Sequence, residues 1–159
     1  MPVARLPEAL AAWPGAVTLL TIADGRDDIG TTVSAFCPIS ADPPLVLVSL
    51  MAESYPAEVL LRSDWFAVTL LADSQRVLAG RFAAAGRPAA GVLLANVPHH
   101  RGERSRALIP DAGLAAFECA VTTRVPAGDH LVLIAAVSAV PYVAEGDQPL
   151  IRFRGSYLR

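Results

Sequence analysis

The side chains able to do chemistry are few and scattered, and the densest group lies in Gly30 to Leu50, GTTVSAFCPISADPPLVLVSL. Thr31, Thr32 and Ser34 put three hydroxyls around Val33 just before Ala35. Small side chains let a backbone approach a planar ring, and hydroxyls supply donors to ring carbonyls. An ordinary edge strand would read the same way. Ser49 and Ser54 flank Met51-Ala52-Glu53. Ser54 stands where a helix N-cap is expected, and free N–H groups at a helix start suit a phosphate. A plain cap explains it equally. Arg81 in LAGRFA is the one cation of an otherwise apolar helical segment, which reads as a phosphate contact or a surface arginine. His130 opens the apolar run HLVLIAAV beside a turn, either at a cleft or as a structural histidine. Arg152, Arg154 and Tyr157 put cations and a phenol on a short terminal strand, able to hold a second, anionic ligand or to be plain surface.

The familiar catalytic templates are missing from the sequence: P-loop, GxGxxG, HExxH and GxSxG. The three histidines do not fall at metal-ligand spacing with Cys or carboxylates, so no metal is expected. Any catalysis would rest on an organic cofactor.

The elements that must position these residues read mainly as strands. Leu6 to Trp13 forms a short helix stopped by Pro14-Gly15. Val17 to Ala23 and Ile29 to Ser40 make a hairpin across Asp24-Gly25. Asp42-Pro43-Pro44 breaks the next connection, since proline donates no ladder hydrogen bond, and Leu45 to Leu50 follows as a strand. A helix runs from Ser54 to Arg62, then a strand from Trp65 to Leu71. Asp73 caps a helix over Ser74 to Ala85, with Gly86 as its C-cap. Arg87 to Pro110 shows no period and reads as loops with one short element, its basic cluster (Arg101, Arg104, Arg106) solvated. Leu114 to Val125 and Leu131 to Val143 form a hairpin, and Leu150 to Phe153 a last strand. Parallel strands need long crossovers, and most links here are short. The fold expected is a mainly β, closed or nearly closed antiparallel barrel with flanking helices.

The chain has 159 residues, which predicts one domain over 1–159 with a sizeable core. It is 53% hydrophobic with net charge −2, too little positive charge for nonspecific nucleic-acid binding. No apolar run reaches the roughly 20 residues of a membrane helix, and Arg5 and Glu8 interrupt any signal peptide. A cytoplasmic protein is expected. Cys37 and Cys119 lie in strand-like runs and read as buried, inert thiols.

Five stretches in this order, ALAAWPGAVTLLTI, GTTVSAFCPISADPPLVLVSL, WFAVTLLADSQRVLAGRFA, FECAVTTRVPAGDHLVLIAAV and PLIRFRGSYL, resemble the short-chain flavin reductases. These are the NAD(P)H:flavin oxidoreductase components of two-component monooxygenases. The resemblance implies an antiparallel Greek-key FMN-binding split barrel, working as a homodimer with flavin near the subunit interface. It implies FMN or FAD as flavin, NADH or NADPH as hydride donor, and a separate monooxygenase partner. By position, Thr32, Val33, Ser34 and Ala35 would lie against the isoalloxazine ring, and Ser49 and Leu50 would continue that wall. Ser54 and Arg81 would meet the ribityl phosphate with Phe82 nearby. His130, Arg154 and Tyr157 would face the nicotinamide nucleotide, with His130 in the catalytic position as a group that orients the donor. The link from Leu50 to Ser54 is shorter than the family pattern and lacks its Asn before the Ser. A second reading, of another class, is a flavin-binding electron-transfer or storage protein without NAD(P)H activity. A third is an oxidase of the pyridoxamine-phosphate type, disfavoured because no compact basic cluster stands ready for a substrate phosphate.

Overall fold

The computed structural model describes residues 1–25 and 27–159. In chain order its elements are α1 (Leu6–Ala11), β1 (Gly15–Ala16), β2 (Thr18–Asp24), β3 (Asp27–Val33), β4 (Phe36–Ala41), β5 (Pro44–Met51) and α2 (Tyr55–Arg62). Then come β6 (Trp65–Leu70), a 3-10 turn (Asp73–Gln75), α3 (Arg76–Ala83), α4 (Ala90–Leu93), β7 (His99–Arg101) and β8 (Leu108–Pro110). The chain ends with β9 (Ala115–Ala127), β10 (His130–Val143), β11 (Ile151–Phe153) and β12 (Ser156–Tyr157). Among the described residues no helix is long and apolar enough to cross a membrane.

Seven strands form one antiparallel sheet in the order β3-β2-β6-β9-β10-β5-β4. Its two edges, β3 and β4, are consecutive in the chain and separated only by Ser34 and Ala35. Three Cα–Cα steps reach at most about 11 Å. A flat sheet of seven strands would hold its edges about 29 Å apart at the usual strand spacing. The sheet must therefore curl until its edges meet at this corner, which is the barrel expected. The single strand read over Ile29 to Ser40 is corrected here: it breaks at Ser34-Ala35 so that one half pairs with β2 and the other with β5. A continuous strand could not serve two opposite edges.

VTLLTIA is apolar on both faces because both are covered. Leu20 and Ile22 point into the barrel with Val33, Val48, Leu50, Phe66 and Leu133. Leu19 points outward into a second cluster with Leu71, Leu78, Phe82, Leu94 and Leu108, under α3 and α4.

Ser54 caps α2 as expected, its Oγ accepting from Ala57 N at 3.3 Å, and Pro56 occupies the first turn. The cap read at Asp73 falls one residue earlier, at Ala72, whose N–H donates to Gln75 Oε1 at 2.9 Å, and the helical segment starts as 3-10 and ends at Ala83. Asp73 instead receives Arg76. Arg87 to Pro110 is more ordered than its composition suggested, with α4 and the β7–β8 hairpin. Its period is hidden because both are single-turn or three-residue elements anchored from outside. Thr21 Oγ1 donates to Leu108 O at 2.7 Å, and buried Glu118 accepts from Ser105 N at 2.8 Å and Arg104 N at 3.1 Å. Arg101 is not a free solvated cation, since it forks onto Asp28 at 2.8 and 3.0 Å. The two cysteines part company. Burial pushes the Cys119 thiol up to about 12, whereas Cys37 is exposed because β4 is an edge strand.

Candidate functional site

The corner that joins the sheet edges is also where the small hydroxyl residues collect. Ser34 and Ala35 are exposed and Thr32 is half-buried beside them. Phe36 N donates to Ser34 O and Ser49 N to Ala35 O, both at 3.0 Å, so the corner is locked to β5. The N–H groups of Ser34 and Ala35 themselves donate no backbone hydrogen bond among the described residues. The corner thus presents two unused donors framed by small side chains. Ser49, half-buried on the outer side of β5, lies beside it. Val33 and Leu50 are different: both are about 5% exposed and packed in the barrel core, so their side chains support the wall from behind.

The strand ladder places His130. It pairs with Met51 of β5, two residues beyond Ser49, and therefore lies about 7 Å further along the ladder and one strand over. Asp129 Oδ1 is 2.6 Å from His130 Nδ1, which holds that carboxyl below its usual range. Asp129 O accepts Ala52 N at 2.9 Å, tying the β9–β10 turn to the link that leads into α2.

A groove of about 560 Å³ runs past Ser54, Tyr55 and Pro56 to Gly30 and Arg87. Arg87 Nε donates to Gly30 O at 2.8 Å, and its partial burial lowers the guanidinium from its ordinary range. Arg81 lies exposed on α3 and does not line this groove; the cation beside Ser54 is Arg87. Phe82 is fully buried, and its ring fills the space that a β-carbon on Gly30 would need. It fixes β3 against α3 from below. Of the groove's residues, Tyr55 is fixed by its Oη donating to Asp24 at 3.1 Å, and Arg62 forks onto the same carboxylate at 3.0 and 2.9 Å. The Arg62 hydrogen bonds hold the Asp24 carboxyl below its ordinary value.

A second groove, of about 480 Å³, is the one that Ser34 and Ala35 line. Leu10, Ala11 and Trp13 at the end of α1, Gly15 of β1, and Arg152, Arg154 and Gly155 line it. Arg154 thus joins Ser34 in one groove, while Tyr157, the ladder partner of Arg152, is half-buried and packs on the outer core cluster. His130 lines neither groove; it stands at the start of β10, opposite Met51 of β5.

Arg87 and Trp13 were missed by sequence reasoning. Arg87 followed a glycine in a stretch without period. Trp13 read as the tail of a helix, although a large aromatic directly before Pro14-Gly15 has nothing beneath it to pack on.

A family model described as a flavin reductase like domain matches residues 10–159. The chain is 31% identical over 149 residues to the NADH-dependent FMN reductase AsuE2 of Streptomyces nodosus subsp. asukaensis, covering 94% of this chain and 80% of that one. It is 32% identical over 152 residues to the reductase component of 4-hydroxyphenylacetate 3-monooxygenase of Thermus thermophilus, covering 96% and 93%. Among solved structures, the NADH:FAD oxidoreductase SgcE6 of Streptomyces globisporus, in complex with NAD and FAD fragments, superposes with a TM-score of 0.89 at 25% identity, covering 98% and 90%.

Proposed function

The chain belongs to the flavin reductase-like family, and on that premise we propose that it is a cytoplasmic NADH- or NADPH-dependent flavin reductase supplying reduced FMN or FAD to a separate monooxygenase. The observation that carries this reading is the Ser34-Ala35 corner. It offers two unused N–H donors, small flanking side chains and a groove that opens onto it. That donor set fits the edge of a flavin ring. A bound flavin supplies the redox chemistry, taking a hydride from a reduced nicotinamide.

The chain's own residues bind and orient. Thr32, Ser34, Ala35 and Ser49 form the wall, with Val33 and Leu50 behind it. Fixed backbone donors at the corner favour negative charge arriving on the ring edge, because they are already aligned and need no reorganisation. Ser54 and Arg87 stand at the phosphate end; the family pattern adds Arg81, with Phe82 as its support. His130, Arg154 and Tyr157 orient the nicotinamide nucleotide, and none of them acts as a nucleophile. A homodimer is supported by the outer face of β4, β5 and β9. Ile39 is 47% and Val125 43% exposed there, and Leu45 and Leu47 are only half-buried. An apolar strip on a sheet exterior marks a covered surface.

The test is anaerobic mixing of the protein with FMN or FAD and NADH or NADPH. Loss of the flavin's visible absorbance is the expected outcome, with the preferred pair bleaching fastest. Flavin binding without bleaching under any of the four pairings would leave a flavin-binding module instead.

A further inference from the structure

The loop between β7 and β8 is folded around a carboxylate for which flavin reduction has no use. Glu118 of β9 lies opposite Ala67 of β6 and Ala139 of β10 and is 2% exposed. Its neighbours Phe117 and Cys119 pack in the barrel core, so alternation turns Glu118 to the outer side, beneath the loop. Glu118 Oε1 accepts three hydrogen bonds, from Arg104 N at 3.1 Å, Ser105 N at 2.8 Å and Ser105 Oγ at 2.7 Å. Only glycine allows the loop this close at Gly102, because a β-carbon there would overlap Oε1.

One oxygen therefore anchors the loop. No donor among the described residues reaches the other, Oε2. Nor is Oε2 sealed in: the side-chain atoms that are both sealed and unpartnered among the described residues are Thr69 Oγ1 and Gln75 Nε2. Glu118 lines a pocket of about 460 Å³ together with Arg104 and with Ala139, Val140 and Pro141 of β10. Oε2 faces that pocket, whose size suits a small organic molecule.

The other charges around the pocket are met. Arg101 forks onto Asp28, and His100 Nδ1 stands 2.6 Å from Asp111. Glu103 and Arg104 are exposed neighbours of opposite sign on the rim. The buried Glu118 charge remains unbalanced, and such a charge is costly without a cation. A guanidinium pairs best by forking onto both oxygens of a carboxylate, and here one is taken. An ammonium is a compact charge whose donors can meet a single oxygen. The apolar wall of Ala139, Val140 and Pro141 suits a hydrocarbon stem.

We propose that this pocket binds a primary ammonium ion carried on a short apolar stem, with Glu118 Oε2 as its anchor and Val140 and Pro141 against the stem. It shares no lining residue with either groove described above. The site stands whether or not the chain reduces flavin.

The probe is n-butylammonium chloride, titrated at constant ionic strength and followed by amide NMR. The Gly102, Arg104 and Ser105 signals should move saturably at millimolar ligand, while those of Ser34 and Ala35 stay in place. Tetramethylammonium has the same charge but no N–H, and should move none of them. Glu118→Gln keeps an oxygen for the loop amides and removes the charge. It should weaken binding by about tenfold or more, the scale of one charged hydrogen bond. Val140→Ala alters an exposed side chain, so folding is not at stake. It should weaken n-butylammonium by about fourfold, the scale of one buried methylene, and leave methylammonium unchanged. Nα-acetyl-lysine amide separates the sources of the ligand. A matching response admits a lysine side chain of another protein, and a response to n-butylammonium alone confines the site to free amines; either upholds the pocket. Equal responses to n-butylammonium and tetramethylammonium, unchanged binding in Glu118→Gln, or no response at all would overturn it.

Discussion

His130 sits where the β9–β10 turn meets the end of β5, half-buried, with Asp129 on one ring nitrogen. That carboxylate orients the imidazole and leaves the other nitrogen for a ligand. The role proposed for it is to hold the nicotinamide nucleotide rather than to take a proton. His130→Ala is therefore expected to raise KM for NADH by about tenfold, the scale of one lost hydrogen bond to a charged group, with flavin affinity little changed. Steady-state NADH kinetics identical to the wild type would remove His130 from the site. The residue scale also shows where chemistry and packing divide. Thr32, Ser34 and Ser49 are reachable, whereas Val33, Leu50 and Phe82 are core. Sequence order cannot make that division at a strand end, because it depends on which face the barrel encloses.

At the scale of elements, α3 and α4 lie across β3 at Gly30. A β-carbon there would overlap the Phe82 ring and come within 3.3 Å of Ala90 Cβ. The close approach is what lets Arg87, just past α3, reach back to Gly30 O and line the groove beside Ser54. Gly30→Ala should cost about 1–3 kcal/mol, the range for overpacking a filled core. That lowers Tm by about 2–4 °C for each kcal/mol in a chain of this size. Thermal unfolding followed by circular dichroism would check it, and an unchanged Tm would mean that the contact yields without cost. Ser54 as a cap was legible from Ser-Tyr-Pro alone, since capping is local. The segment from Arg87 to Pro110 was not. Its order comes from Asp28, Thr21 and Glu118, residues far away in the chain.

For the whole molecule, the apolar outer strip on β4, β5 and β9 is the surface a second copy would cover. Sedimentation should give a species of about twice the 16.7 kDa chain mass. Leu47→Glu, placing a charge in the middle of that strip, should shift it toward the monomer, because an unpaired charge in a dry interface is costly. A wild type that sediments as a monomer would remove the dimer from the reading.

The sequence by itself determined the strand content, the short antiparallel links, the Ser54 cap and the family resemblance, because alternation, turn residues and caps are local properties. Only the tertiary structure decided that Gly30 to Ala41 is two edge strands meeting at Ser34-Ala35, since closing a sheet is a constraint on all seven strands together. It alone set Arg87 rather than Arg81 beside Ser54, and brought Trp13 from one end of the chain to Arg152 and Arg154 at the other. Those placements follow from which strand each segment pairs with, and no run of neighbouring residues contains that information.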